Sequence, residues 1–175
     1  MPGVEKKTPI ISVLAENQAR EALDFLKISG RSYGPEDIEK LMSGFTSGMW
    51  RFVTASVDGH IVGCFYLNRT PKYRVYQALK VPELQDLRVL PDSRRQGIGR
   101  TLVEYGEAIA RDLGAPGLGM SVGLSPDYGA AQRLYADMGY LPDGNGITYD
   151  REPVAKGQRI ALDDDACLML IKLWG

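Results

Sequence analysis

Between residues 83 and 113 the chain passes from a two-residue to a 3.6-residue period across one short loop, and that switch limits what it can fold into. Residues 83–89 (Glu-Leu-Gln-Asp-Leu-Arg-Val) read as a strand. Ile98, Leu102, Tyr105, Ile109 and Leu113 then recur by steps of four, three, four and four, so they share one helix face. Arg100/Glu104 and Glu107/Arg111 are i,i+4 charge pairs expected on the opposite side, and Gly114 ends the helix. The loop between is Arg94-Arg95-Gln96-Gly97-Ile98-Gly99-Arg100. The first amides of a helix have no internal partner, and the helix dipole puts partial positive charge there. Glycines at 97 and 99 clear side chains from the approach, and Arg94, Arg95 and Arg100 add charge-assisted donors. A pyrophosphate is the natural guest, and a tight structural turn is the competing reading. Two other phosphate patterns fail on spacing. There is no G-x-x-x-x-G-K-S/T, and Leu102 stands where the third glycine of G-x-G-x-x-G belongs.

The flanking sequence supplies further elements. Residues 10–14 read as an opening strand, followed by a helix carrying Ala19, Ala22, Leu23, Phe25 and Leu26 with start signals at Glu16 and Asn17. Pro35 opens a second helix with Ile38, Leu41 and Met42. Residues 50–57 and 61–67 are strand-like runs joined by the Asp58-Gly59 turn. Residues 68–80 are mixed, with no expected element. Residues 118–124 form a small-residue strand, and Ser125-Pro126 then reads as a cap and first helical position ahead of Ala131, Leu134 and Met138. Residues 142–157 are turn-rich with a possible strand at 147–149, and residues 167–174 close the chain as a strand. The order is strand, two helices, three strands, helix, strand, helix, strands: one α/β domain over residues 1–175.

Composition narrows the partners. Twenty-one Lys and Arg against 22 Asp and Glu leave a net charge of −1, which offers no basic excess for nucleic acid. No apolar run approaches membrane-spanning length, and residues 1–8 carry charges without an apolar region behind them, so a soluble, cytoplasmic protein with no signal peptide is expected. Cys64 and Cys167 sit in apolar strand-like stretches and read as reduced core residues, with a bridge left open. The one histidine, His60, follows the hairpin turn, so a Ser-His-Asp triad or a His-rich metal site is a poor fit and no metal is expected. Asp163-Asp164-Asp165 lacks calcium-loop spacing and reads as a solvated turn.

Arg94-x-x-Gly97-x-Gly99 after the strand Leu87-Arg88-Val89 and Pro91 resembles the acyl-CoA loop of the GNAT superfamily of N-acetyltransferases, and Leu134-Tyr135-Ala136-Asp137-Met138-Gly139-Tyr140 resembles the family's later L-Y-x-x-x-G-F/Y motif. The resemblance covers most of the chain and is weakest after Pro142. It implies a mixed, mostly antiparallel central sheet of about six to seven strands flanked by about four helices. It implies acetyl-CoA as co-substrate and direct acetyl transfer to a primary amine of a small molecule or peptide in a ternary complex. A non-catalytic acyl-CoA-binding module of the same fold is the alternative. A monomer or homodimer, without nucleic acid or membrane, is the expected form.

The resemblance also assigns roles. Main-chain groups of Leu87, Arg88 and Val89 would hold pantetheine, and the amides of Arg95, Gln96, Gly97, Ile98, Gly99 and Arg100, with Arg94, would hold the pyrophosphate. Val89 N–H is a candidate oxyanion donor. Tyr135 matches the tyrosine that protonates the departing thiolate. Tyr128, Gln132 and Tyr135 fall on one stripe, apart from Ala131, Leu134 and Met138, which places Gln132 with the cofactor-facing set. Tyr128 stands where many members have an asparagine that contacts CoA, which leaves that contact open. Glu83, eleven residues before Arg94, has the spacing of a general base, with Asp86 second and a water chain also possible. Strand alternation puts Glu83, Gln85, Leu87 and Val89 on one face and Asp86 and Arg88 on the other. Residues 28–34 and 68–80 are the expected acceptor-binding segments. Tyr33, Trp50, Tyr73, Tyr76 and Tyr149 are either cleft or packing aromatics.

Overall fold

The hairpin expected at Asp58-Gly59 forms because both residues take left-handed backbone, φ 52° and 80°, the geometry of a type I′ turn. It joins β2 (Trp50–Val57) to β3 (His60–Asn68) in an antiparallel pair. The structure is a computed structural model that describes residues 8–30 and 33–175. Two compact units emerge: residues up to Asn68 with Asp86–Tyr105, and Arg69–Gln85 with Gly106–Gly175.

In the first unit, β1 (Ile10–Val13) pairs antiparallel with β2. A short 3-10 turn precedes α1 (Ala19–Ile28), and α2 (Pro35–Thr46) starts on Gly34, whose amide donates to Asp37 Oδ2 at 3.0 Å. Pro35 takes the first helical position as expected. Ala22, Phe25, Leu26, Leu41 and Phe45 bury against Phe52 and Cys64. Trp50 stacks on Tyr66 at 5.0 Å and lies over Gly44, where an added Cβ would sit 2.4 Å from the indole. Both of these aromatics therefore belong to packing. Pairing of β2 and β3 steps from Ala55–Gly63 to Ser56–Ile61, leaving Val62 as a bulge whose carbonyl accepts Leu90 N–H at 2.8 Å.

In the second unit, the N-terminal end of β4 (Glu83–Val89) pairs parallel with β5 (Gly117–Gly123). Antiparallel pairs join β5 to β8 (Ala166–Leu173), β8 to β6 (Leu141–Tyr149) and β6 to β7 (Glu152–Pro153). The strand order is β1-β2-β3-β4-β5-β8-β6-β7. The expected mixed α/β fold with a mostly antiparallel sheet is present, with eight strands and five α-helices among the described residues rather than the smaller numbers expected.

One of the extra elements is α3 (Arg74–Leu79), in the stretch expected to be irregular. Six residues are too few to show a helical period in sequence. Its Tyr76 is fully buried, covers Gly119 and donates its hydroxyl toward the Met120 and Leu170 carbonyls at 3.0 and 2.6 Å, and Tyr73 meets it edge-on at 4.9 Å. β6 also exceeds expectation. It runs through the turn-rich stretch because its pairing with β8 slips between Pro142 and Ile147, across Gly144 and Gly146 with φ 86° and 81°.

The helix α4 (Ile98–Asp112) buries Ile98, Leu102 and Ile109 as its period predicts. Glu107 departs from the expected solvent face. It is buried, accepting Tyr140 Oη at 3.1 Å and Lys172 Nζ at 2.8 Å, with Arg111 at 3.5 Å. A carboxylate with three such partners tolerates burial that a lone one does not. Cys64 and Cys167 are buried and free, and His60 is exposed.

Candidate active site

The loop before α4 owes its shape to two left-handed residues, Arg95 at φ 60° and Gly97 at φ 89°. Glycine takes such a φ without cost, which explains position 97; Arg95 takes it against the preference of an L side chain. The preceding 3-10 turn ends with Arg94 N–H on Pro91 O at 3.2 Å, and α4 begins with Thr101 N–H on Gly97 O at 3.0 Å. Between them, no backbone carbonyl among the described residues accepts from the amides of residues 95–100. Consecutive open amides at a helix start make a concave donor set, the arrangement that suits a pyrophosphate. Arg94 Nε donates to Val89 O at 2.9 Å, and Gln96 Nε2 to Asp92 O at 3.2 Å, so both side chains brace the loop. Gly99 lies within the first turn of α4, and Arg95 and Arg100 are exposed.

β4 does not keep its pleat. Asp86 sits mid-strand at φ 51°, a conformation costing a non-glycine residue roughly 1–2 kcal/mol. The alternation expected along 83–89 is absent from its burial. Glu83, Leu84 and Gln85 are buried in succession, and residues 86–89 are half-buried. In the first unit, Asp86 accepts Tyr33 Oη at 2.9 Å and lies 3.7 Å from Arg88 Nη2, while Arg88 Nη1 donates to Ser29 O at 3.2 Å. These ties hold the strained residue. Burial and the nearby Asp86 charge push the Cys64 thiol far up, which leaves it protonated and no nucleophile.

In the second unit, Glu83 is fully buried and carries Arg151 across both oxygens: Arg151 Nε lies 3.1 and 3.4 Å from them, and Nη2 lies 2.9 Å from Oε1. The sequence pattern does not single out Arg151. It comes from a two-residue turn between β6 and β7 in which Asp150 and Arg151 are left-handed, φ 48° and 65°, and only a turn of this type built without glycine could flag it. Lys72 Nζ grips Asp150 at 2.6 Å.

Tyr135 is buried on α5 (Gly129–Asp137), its ring 6.4 Å from that of Tyr140. Burial and the Glu107 charge push the Tyr140 hydroxyl far up. The expected stripe does not hold: Tyr135 and Met138 are buried, Ala131 and Leu134 half-buried, Gln132 exposed. Residues 126–128 form a 3-10 turn after Ser125, whose side chain makes no capping bond, so Ser125-Pro126 does not open α5 as expected, and the turn's three-residue period takes Tyr128 off the α5 face. Tyr128 instead covers Gly123 and donates to Asp164 at 2.6 Å, and Gln132 Nε2 donates to Gly123 O at 2.8 Å. Tyr149 donates to Asp163 at 2.8 Å, which holds that carboxyl below its ordinary range. The three aspartates thus serve a turn, and no group of three or more metal-ligating side chains forms among the described residues. Of the expected acceptor segment 28–34, Arg31 and Ser32 lie outside the described residues, as do residues 1–7.

The sequence model of the acetyltransferase (GNAT) family matches residues 20–140. The chain belongs to the acetyltransferase (GNAT) family. No curated protein matches it by sequence. Solved structures share the GNAT fold at low identity. An aminoglycoside 6′-acetyltransferase type Ii is 21% identical, covering 94% of this chain and 96% of its own, with a TM-score of 0.66. The ribosomal-protein-S18-alanine N-acetyltransferase of Escherichia coli is 18% identical, covering 94% and 92%, with a TM-score of 0.63. A Salmonella typhimurium protein solved with its cofactor acetyl-CoA is 11% identical, covering 95% and 94%, with a TM-score of 0.66. The GNAT match spans residues 20–140, so β1 before it and β6, β7 and β8 after it lie outside the match. No helix among the described residues is long and apolar enough to cross a membrane.

Proposed function

We propose that this GNAT member is one acetyltransferase domain that transfers the acetyl group of acetyl-CoA to a primary amine of a small molecule or peptide. The observation that carries the reading is the loop of open amides shaped by Arg95 and Gly97 at the start of α4. Amides 95–100 would take the pyrophosphate and the main chain of residues 87–89 the pantetheine. The amine nitrogen attacks the thioester carbonyl, the C–S bond breaks, the amine gives up one proton and the thiolate takes one. Val89 N–H would face the developing oxyanion, and Tyr135 would supply the thiolate's proton. Glu83 and Asp86, or a water chain, are the candidates for the base. Both Glu83 oxygens already accept from Arg151, so taking a proton means loosening a two-pronged bond. Asp86 accepts the Tyr33 phenol hydroxyl at 2.9 Å and lies 3.7 Å from the Arg88 guanidinium.

Thermal unfolding with and without acetyl-CoA, using NAD and ADP as controls, tests the reading. A ligand at a hundred times its dissociation constant adds about 2.7 kcal/mol of stability. A rise in Tm with acetyl-CoA and none with NAD is expected. No rise at millimolar acetyl-CoA would remove its main support.

A further inference from the structure

Main-chain groups at the end of β4 turn to two different edges. Leu90, directly after the strand, donates its N–H to Val62 O at 2.8 Å and so faces β3. Successive residues of extended backbone send their main-chain groups to opposite edges, which puts those of Val89 on the edge away from β3. There Val89 O accepts a side chain of the same chain, Arg94 Nε, at 2.9 Å. It is the one hydrogen bond that the Arg94 guanidinium makes among the described residues, and Arg94 is exposed.

Arg94 thus links two parts of the acetyl-CoA site. Its backbone leads into the open amides of residues 95–100, where the pyrophosphate would lie, and its side chain sits on the carbonyl that ends the strand. Pantetheine adding to this edge as a strand would needs the main chain of residues 87–89. A guanidinium 2.9 Å from Val89 O occupies that edge, so the second lone pair of the carbonyl does not remove the conflict. Arg94 has to leave, and leaving for water alone gains nothing. A pyrophosphate on the loop changes the balance, because its charged oxygens bind a guanidinium more strongly than a neutral carbonyl does.

We propose that Arg94 is a specificity-determining residue for the acetyl donor. It closes the pantetheine edge through Val89 O and opens it when a pyrophosphate takes its guanidinium, so the thioester of CoA is admitted and the same thioester of bare pantetheine is disfavoured. The inference rests on the reading of this chain as an acetyltransferase that uses acetyl-CoA. It goes beyond that reading, since a phosphate contact alone would strengthen CoA binding and leave bare pantetheine untouched.

S-acetylpantetheine carries the thioester and both amides without a phosphate, and it separates the two effects. Isothermal titration calorimetry gives its Kd and that of acetyl-CoA for the wild type and for Arg94→Met, which keeps an apolar stem and loses donor and charge. Arg94→Met should bind S-acetylpantetheine about fivefold more tightly, because the competing hydrogen bond is gone. It should bind acetyl-CoA about tenfold more weakly, because a charged hydrogen bond to phosphate is gone. The opposite signs are the signature. A distorted loop weakens both ligands, and a simple phosphate contact weakens acetyl-CoA alone. Either result overturns the proposal, as does S-acetylpantetheine that binds neither protein. A crystal structure of the wild type with acetyl-CoA needs no variant to fold: Arg94 Nε should be off Val89 O and its guanidinium on the pyrophosphate. Arg94 still on Val89 O with acetyl-CoA bound overturns the proposal while the acetyltransferase reading stands. If acetyl-CoA does not bind the wild type, that reading has failed and the proposal falls with it.

Discussion

Replacing Arg151 by methionine leaves the Glu83 carboxylate buried with no guanidinium across from it. Glu83 is fully buried and Arg151 about one-fifth exposed; Arg151 Nε and Nη2 both donate to Glu83 Oε1, at 3.1 and 2.9 Å, and Nε also reaches Oε2 at 3.4 Å. Two unit charges about 4 Å apart attract by roughly 4 kcal/mol at an effective dielectric constant of 20. Each also gives up several kcal/mol of hydration on burial, so the intact pair contributes little net stability. The prediction lies in the asymmetry. Arg151→Met should cost about 3–5 kcal/mol because the carboxylate stays behind, whereas the double variant Glu83→Gln/Arg151→Met should cost clearly less because neither charge remains. Methionine keeps the apolar stem of the arginine, which limits the loss of packing. Arg151→Gly separates out the backbone: position 151 is at φ 65°, so glycine should be milder than methionine by about 1 kcal/mol. Equilibrium urea unfolding followed by circular dichroism reads the wild type and each variant, with Glu83→Gln completing the cycle. A coupling energy of at least about 2 kcal/mol is expected. Single costs that add to within about 0.5 kcal/mol would refute the reasoning, because groups that add so closely are not joined by a buried bond.

Three other outcomes are expected. Tyr135→Phe should lower turnover by about a hundredfold or more while acetyl-CoA still raises Tm, and unchanged turnover removes Tyr135 as the acid. Gly97→Val forces a β-branched side chain into φ 89°, so it should cost about 1–2 kcal/mol in urea unfolding and abolish the acetyl-CoA shift, and an undiminished shift means the loop amides are not used. Tyr149→Phe removes the bond that holds the Asp163 carboxyl down, so its NMR titration midpoint should rise. A carboxyl depressed on folding stabilises above its unfolded pKa and loses that stabilisation as pH falls through its folded one, so the variant should show a shallower loss of stability on acidification.

Legibility in the sequence tracks how local each cause is. The Asp58-Gly59 turn, Pro35 at the first position of α2 and the buried face of α4 are each decided by neighbours within a few positions, and the structure has each of them in place, whereas Ser125-Pro126 opens only a 3-10 turn ahead of α5. The helix α3 is one and a half turns long, and what holds it is Tyr76 reaching the carbonyls of Met120 and Leu170, a cause far away in the chain. Glu107 reads as half of a surface pair with Arg111 because Tyr140 and Lys172, its other partners, lie more than thirty positions on. Periodicity assigns a face and is blind to a distant partner that makes a charge tolerable on the wrong one.

The strand β4 shows the same limit at the candidate site. Its ends are legible in the sequence and its faces are not, because a period of two holds only while every residue keeps an extended backbone. One left-handed residue, Asp86, resets the count, and nothing in Glu-Leu-Gln-Asp-Leu-Arg-Val marks it: aspartate tolerates that conformation better than most residues but does not require it. The strain at Asp86 persists because Tyr33 and Arg88 hold its side chain. Asp86 and Arg88, which alternation already places on one face, lie 3.7 Å apart. A strand read as ideal would offer a ladder of main-chain groups for pantetheine and little else. This one also buries a guanidinium, whose Nε has no hydrogen-bond partner among the described residues, beside the Asp86 carboxylate, and the family motif gives no reason to look for that arginine's side chain.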